Sequence, residues 1–392
     1  MTILFIHIIS TILLPLYFFF HYYFVARISS GLGFRNRGRW VLGSLFFALA
    51  LLSTPAFLET SHSFLETSGT PYHYAAFGWL GIAGIGACVF LCADGVRLFL
   101  KLFGSILPSP ALRVSSWTST LAGKVGTTGV LVSWLAISAY GIFEAVRPPS
   151  VERISIEIPG LTRNLTIVQL SDMHLGPVFG AERLGTVMTT VRQIRPDLIV
   201  LSGDIIDGDI SARYAEEYLD SLSTLRSRHG TIAVIGNHEE YFGVNRISEL
   251  YKTDSIQLMR DTLVTLGDEI EVAGVDDYGA ARDLSNRRKL NNVIAGRASG
   301  LPLILLGHDP TFFEDEAERG VVLQLSGHTH GGQFVPLNIL ARLKFKHISG
   351  LSMHKRSYLY VSNGIGTRGP LMRLLARSEI SVIQLRGPHN RP

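Results

Sequence analysis

Five short apolar runs each lead into Asp, Asn or His, residue types able to bind metal ions. Leu165–Leu170 leads into Ser171-Asp172-Met173-His174, and Leu198–Ser202 into Gly203-Asp204, with Asp207 just beyond. Ile232–Ile235 leads into Gly236-Asn237-His238-Glu239, Leu303–Leu306 into Gly307-His308, and Val321–Leu325 into Gly327-His328-Thr329-His330. Runs of this length and composition predict buried strands. A sheet is rigid and its edge loops are not, so side chains just past strand ends are where a fold builds a site. A single Gly-Asp, or a lone His after a strand, is commonly an ordinary loop residue. The whole ordered set at strand ends predicts one convergent centre. Carboxylate, imidazole and amide oxygen are all suitable donors for first-row divalent cations.

Further runs at Ile154–Ile158, Ile270–Val275, Tyr358–Ser362 and Ile380–Leu385 read as strands, and Glu182–Arg195 and Ser211–Arg228 carry helical apolar spacing. A short helix is expected to begin at Asp309-Pro310-Thr311 and run to Arg319. The pattern predicts an α/β domain.

The order D-x-H, G-D-x-x-D, G-N-H-E, G-H, G-H-x-H, spread over Leu165 to Ser362, resembles the calcineurin-like metallophosphoesterase superfamily. The resemblance implies a four-layer α-β-β-α sandwich with two divalent ions (Mn, Fe or Zn) in a cleft at the strand ends. Carried over residue by residue, Asp172, His174 and His330 bind the first ion. Asp204 bridges both, and Asn237, His308 and His328 complete the second. His238 is the non-ligating catalytic histidine, Asp207 a motif carboxylate supporting the centre, and Glu239 the acid that closes the G-N-H-E motif. The residue types suit the chemistry. Two cations about 3.5–4 Å apart activate a shared water and hold both oxygens of an in-line displacement. A bridging carboxylate offsets cation repulsion, a neutral amide avoids over-neutralising it, and an adjacent imidazole can protonate the leaving oxygen.

The chain is 47% hydrophobic and only 17% charged, which is apolar for a wholly soluble protein. The excess lies before Phe143. Ile3–Val25, Trp40–Leu58, Ala75–Ala93 and Val125–Phe143 are each long enough to cross a bilayer. Residues 1–147 are therefore expected to form a membrane region of four helices and residues 148–392 the metallophosphoesterase domain. The chain's net charge of +4 does not call for a nucleic-acid partner, because Arg27, Arg35, Arg37, Arg39, Arg97, Lys101, Arg113 and Lys124 flank the apolar runs. The first connecting loop, expected to hold Arg27, Arg35, Arg37 and Arg39, and the third, with Lys101, Arg113 and Lys124, are basic, and the second, Glu59–Tyr74, carries no Lys or Arg. By the positive-inside rule this predicts a multi-pass protein of the inner (cytoplasmic) membrane with its catalytic domain on the extracytoplasmic side. Cys88 and Cys92 lie one helical turn apart in an apolar run and read as membrane-helix residues. His7 and His21 read as interfacial or helix–helix polar residues.

Gly331-Gly332-Gln333, Val361-Ser362-Asn363-Gly364-Ile365-Gly366-Thr367 and Arg373 are similar to the membrane-associated bacterial branch of the superfamily, the YkuE-type phosphodiesterases. Some members of that branch are UDP-diacylglucosamine hydrolases of lipid A synthesis. The branch's Pro-Glu-Ile is replaced here by Ser378-Glu379-Ile380, and four spans stand where many relatives have one anchor. The function implied is a membrane-anchored binuclear phosphoesterase acting on phosphodiester, pyrophosphate or phosphomonoester bonds, with lipid-linked and cell-envelope esters among its candidate substrates. The alternatives are the UDP-diacylglucosamine pyrophosphatase reaction, a non-catalytic membrane sensor or scaffold, and a transporter with an enzymatic appendage. An intact ligand set argues against the scaffold, and spans poor in ionisable groups argue against transport. Pro336–Ser349 mixes Leu337, Ile339, Leu340, Leu343 and Phe345 with Arg342, Lys344 and Lys346, and reads either as a half-buried surface element or as a membrane-resting segment.

Overall fold

The computed structural model describes residues 9–58, 62–104, 120–176, 179–206, 212–242, 255–276, 290–295 and 300–388, with single positions 245, 248, 249, 251 and 297 between them. It divides into two compact units, Met1–Phe143 with Gly369–Met372, and Glu144–Arg368 with Arg373–Pro392.

The first unit holds α1 (Leu14–Leu32), α2 (Asn36–Leu58) and α3 (His62–Gly104), with most of α4 (Leu121–Val146). Among the described residues, four stretches are long and apolar enough to span a membrane: Thr11–Leu32, Asn36–Ala56, Pro71–Phe103 and Leu121–Val146. The first helix outruns its expected end at Val25, and the third spans 33 residues rather than stopping near Ala93. Arg27 is consequently a helix residue and not part of a loop. Its guanidinium lies 2.6 Å from Asp94 on α3, which also accepts the Tyr23 hydroxyl at 2.6 Å. A charge satisfied by a neighbouring helix lets α1 continue past it, which an apolar-run criterion cannot register. The connection Gly33–Arg35 is short, so Arg37 and Arg39 open α2, while Lys101 ends α3 and Lys124 opens α4. Arg113 and His7 lie outside the described residues. His21 is a helix–helix residue: Trp79 donates to its Nε2 at 2.9 Å. Phe24, Phe46, Phe90 and Trp134 pack ring on ring at the centre of the helices. A side chain at Gly86 would meet the Trp134 indole at 2.7 Å, so that glycine sets the approach of α3 to α4.

The second unit is built on two six-stranded sheets. One runs β1 (Ser150–Glu157), β12 (Glu379–Arg386), β2 (Leu165–Leu170), β3 (Leu198–Ser202), β4 (Thr231–Val234), β5 (Ile256–Leu258). The other runs β10 (Gly350–His354), β11 (Ser357–Val361), β9 (Val321–Ser326), β8 (Leu303–Leu306), β7 (Ile270–Gly274), β6 (Thr262–Leu266). β2 to β5 are mutually parallel, as are β7, β8, β9 and β11. Strand alternation sorts the apolar side chains into layers. Leu198 and Val200 of β3 join Ile304, Leu306, Leu323 and Leu325 between the sheets. Ile199 and Leu201 face the other way, onto Leu184, Val187 and Val191 of α5 (Ala181–Ile194) and Leu219 and Leu222 of α6 (Ala212–Ser223). The short helix α7 (Asn237–Phe242) follows β4. On the second sheet Leu303, Leu305 and Val321 pack outward on Leu290, and Phe313 of α8 (Phe313–Ala317) on Leu359 and Val361. The result is the four-layer α-β-β-α sandwich. Helix α6 ends at Ser223, short of the expected Arg228, where Thr224, Leu225 and Gly230 take turn bonds instead. The parallel strands β2, β3, β4, β8 and β9 all deliver their C-terminal ends to one edge.

Candidate metal centre

Three of those strand ends, after β2, β3 and β9, turn abruptly. Asp172, His174, Asp204, His328 and His330 all have positive φ, between 47° and 70°. Left-handed backbone is strained for residues with a Cβ, and Asp and His tolerate it better than most. The turns are held by main-chain bonds from one loop to the next. Asp172 N–H donates to Gly203 O, His174 N–H to Asp204 O, and Gly327 N–H to His308 O, at 3.0–3.1 Å.

Two donor groups result: Asp172, His174 and His330, and Asp204, His308 and His328, each with its donor atoms within 4.8 Å of one another. Within the first, His174 Nε2 lies 3.1 Å from His330 Nε2, which lies 3.4 Å from Asp172 Oδ1. Within the second, His308 Nε2 lies 3.1 Å from Asp204 Oδ2. Asn237 Oδ1 is 2.8 Å from His328 Nδ1. Metal–ligand bonds of about 2.0–2.2 Å put neighbouring donors roughly 3.0–3.5 Å apart around one ion, so both groups have the spacing a divalent cation requires. The groups also meet. Asp204 Oδ2 is 4.0 Å from His174 Nε2, and Asp172 Oδ1 is 4.0 Å from His308 Nε2, so each carboxylate faces donors of both. All seven residues expected from the motifs therefore converge. Asp207 lies outside the described residues.

The surroundings aim the donors. Ser171 Oγ donates to Asp172 Oδ2 at 2.6 Å and His328 N–H to Asp172 Oδ1 at 3.0 Å. The His238 N–H takes Asp204 Oδ1 at 2.9 Å, leaving Oδ2 to the imidazoles. His308 Nδ1 lies 2.8 Å from Ser202 O, which fixes the tautomer that directs Nε2 at Asp204. Two glycines admit the carboxylates. A Cβ on Gly236 would sit 2.2 Å from Asp204 Oδ1, and one on Gly327 2.1 Å from Asp172 Oδ2. Gly307 meets its nearest neighbour at an ordinary 3.4 Å, so its place in the motif is a plain turn.

Against this geometry, the Calcineurin-like phosphoesterase family matches residues 165–332. A Helicobacter pylori (strain J99) protein named uncharacterized metallophosphoesterase is 33% identical over 257 residues, 64% of this chain and 69% of that protein. The chain belongs to the calcineurin-like metallophosphoesterases. YkuE of Bacillus subtilis, also named an uncharacterized metallophosphoesterase, is 32% identical over 63% of this chain and 90% of its own length. A Bos taurus protein named transmembrane protein with metallophosphoesterase domain is 30% identical over 87% of this chain and 82% of its own length. The chain is thus a metal-dependent phosphoesterase and a membrane protein, and the family's use of divalent metals agrees with both donor groups.

Charge in the metallophosphoesterase site is set by burial and by neighbours. Burial pushes the Asp172 carboxyl up to about 6, with His308 pulling down and Asp204 pushing up. At Asp204 burial also raises the carboxyl, but His308, His238 and His174 outweigh it and hold it well below the usual range. Burial, with His174 and Arg373 nearby, keeps His330 neutral, the form that can bind a cation. Glu239 is fully buried and accepts four main-chain N–H groups, from Asp204, Ile205, Ile206 and Gly236. It ties the loop bearing Asp204 to the loop bearing Asn237.

Arg368 is a site residue the motifs did not single out. Its Nε donates to His238 Nε2 at 2.9 Å. Gln333 holds its backbone on both sides, accepting from Arg368 N–H at 2.9 Å and donating to Arg368 O at 3.2 Å. No apolar run ends beside Arg368, so nothing in its local sequence marks it. Arg373 is buried and bonds the carbonyls of Asn363, Gly364, Gly366 and Ala376, which shapes the loop under Asp172.

Proposed function

We propose that this protein hydrolyses phosphodiester or pyrophosphate bonds at a binuclear centre, with Asp172, His174 and His330 holding one divalent ion and Asp204, Asn237, His308 and His328 the other. The observation that supports the reading is the approach of each carboxylate to donors of both groups, at 4.0 Å, which suits two neighbouring cations. Divalent ions bound by these residues would supply Lewis-acid charge and lower the pKa of a water molecule. The chain's own residues do the rest. Asp172 and Asp204 offset the repulsion between neighbouring cations. His238 is beside the centre without facing either donor group as a ligand, its ring 4.7 Å from and perpendicular to that of His174. It is placed to protonate the departing ester oxygen. Arg368 offers a phosphoryl oxygen a guanidinium, and in turning to it frees the His238 Nε2 lone pair, which takes up a proton from solvent and then passes that proton to the departing oxygen. Mn, Fe and Zn all suit the donor set.

The test is a pair of substitutions in the full-length protein. Asp204→Ala should abolish hydrolysis of a chromogenic phosphodiester and lower bound metal. His238→Ala should abolish hydrolysis and leave metal content near the unmodified level. Full activity in His238→Ala on every ester tried refutes its role, and full metal content in Asp204→Ala refutes the shared-carboxylate centre.

A further inference from the structure

Helix α9 (Leu337–Lys344) is built the wrong way round for a soluble surface. None of its eight residues is buried, and Leu337, Ile339, Leu340 and Leu343 are 40%, 56%, 56% and 81% exposed. Spacing of three and four residues puts these side chains along one face, which in a globular domain would be turned to the core. The opposite side does the packing. A Cβ on Gly332 would come 2.2 Å from the Asn338 Cα, so the helix rests directly on the turn after His330. The chain leaving the helix also grips the metal loop. Phe345 is buried with its ring edge-on to His328 at 5.4 Å, and Thr329 Oγ1 donates to Ile348 O at 2.6 Å. Leu375, 83% exposed, adjoins Leu374, whose N–H bonds Gln333 O in the same turn. Arg342 and Lys344 are exposed on α9 among the leucines, and Lys344 lies over the Phe345 ring at 4.7 Å.

We propose that α9 seats its Leu337, Ile339, Leu340 and Leu343 face in the headgroup region of the bilayer that anchors this chain, and that the site takes its phosphoester from an amphiphile in that bilayer. Two features select a lipid surface over a protein partner. The basic side chains stand at the edge of an apolar face, where they match anionic headgroups and can snorkel to them. An isolated helix this short would bind a bilayer weakly, but four spanning helices on the same chain keep the bilayer at high effective concentration. The substrate half of the proposal rests on the phosphoesterase reading above; the docking half does not.

The experiment uses the full chain in mixed phosphatidylcholine–phosphatidylglycerol vesicles. With Cys88 and Cys92 replaced by Ala, an environment-sensitive fluorophore is attached at Leu343→Cys and, as a control, at Lys355→Cys. Brominated acyl chains should quench the probe at 343 and leave that at 355 unaffected. Separately, Leu340→Ser with Leu343→Ser should lower turnover of a long-chain phosphodiester in the bilayer by about tenfold. Turnover of a water-soluble diester should be unchanged. An unquenched probe at 343 overturns the docking, and equal effects on the two esters overturn the amphiphile. Failure of the unmodified chain to cleave either ester would sink the phosphoesterase reading instead, while the quenching result still decides the docking.

Discussion

Replacing Glu239 by Gln changes one atom and should destabilise the catalytic unit severely. Oε1 accepts from Ile205 N–H at 2.6 Å and Ile206 N–H at 3.0 Å, and Oε2 from Asp204 N–H at 2.9 Å and Gly236 N–H at 2.8 Å. An amide keeps one oxygen, so two of the four donors would face an NH2 group that can only donate. Hydrogen bonds to a charged acceptor contribute about 1.5–3 kcal/mol each, so two lost bonds cost about 3–6 kcal/mol. Part returns, because a carboxylate buried near Asp204 is itself unfavourable: burial and the Asp204 charge both push the Glu239 carboxyl up. The lower end, about 3 kcal/mol, is the expected net loss, and for a unit of this size it lowers Tm by roughly 6–12 °C. Calorimetry on the detergent-solubilised chain measures it, with and without chelator. The drop should appear in both, because the bonds lie wholly within the protein. A drop confined to the metal-loaded form, or a Tm within about 2 °C of the unmodified chain, would refute the reasoning. Metal affinity should fall as well, by about 10–100-fold, since Asp204 loses the anchor of its own N–H.

Arg368→Ala should lower kcat/KM for a phosphodiester by about 10–100-fold, the cost of a charge-assisted contact, with metal content unchanged and partial recovery in Arg368→Lys; equal kinetics would remove it from the site. Glu314 is subject to burial, which raises its carboxyl, but hydrogen bonds from Lys346 and His347 outweigh this and bring it down to about 2. Its folded pKa is below its unfolded one, so its contribution is present above about pH 4.5 and lost as the pH falls toward 2. Glu314→Gln should flatten acid unfolding in that window, measured by Tm against pH, and an unchanged slope would contradict the assignment. The basic residues Arg35, Arg37, Arg39, Lys101 and Lys124 flank the same side of the helices, so a periplasm-dependent reporter fused after Pro392 should be active; activity of a cytoplasmic reporter there instead would reverse the topology.

The strands that carry ligands were legible because they are buried on both faces, and such strands read as unbroken apolar runs. Leu165–Leu170, Leu198–Ser202 and Leu303–Leu306 fall at the expected boundaries. Three of the four edge strands were not legible, and the fourth, Ser150–Glu157, was read only from Ile154 onward. Ile256–Leu258 has three residues, Thr262–Leu266 is interrupted by two threonines, and Gly350–His354 is half exposed, so none carries the run that marks a strand. The metal donors could be read because each follows a run, and Glu239 because it closes the G-N-H-E motif, though not the four bonds it accepts; Arg368 acts through a tertiary bond that no local spacing encodes. Arg27 was misplaced for the same reason: Asp94, the residue that lets it sit in a helix, is far along the chain. Pro336–Ser349 was legible as amphipathic, but not which side would pack, since that depends on the bare backbone at Gly332.

The left-handed backbone at five of the seven donors bears on how the fold can hold such a site. At about 1 kcal/mol each, the strain is on the order of 5 kcal/mol, comparable to the net stability of a whole domain. Loops free to relax would shed it and scatter the donors. They are not free, because the cost is spread over a cross-linked set. Asp172 bonds the Gly203 carbonyl through its N–H, and its own carbonyl accepts Gly366 N–H. His328 N–H reaches the Asp172 carboxylate, and Glu239 binds the Asp204 loop to that of Asn237. Each of the three strained loops is thus held by bonds to its neighbours, and none can relax without breaking them. Converging parallel strands make this possible, since they bring these loops to one shared edge, close enough to bond to each other. The same bonding that fixes the donors therefore requires the site to lie where it does, and a donor moved to any other loop would keep its chemistry and lose its geometry.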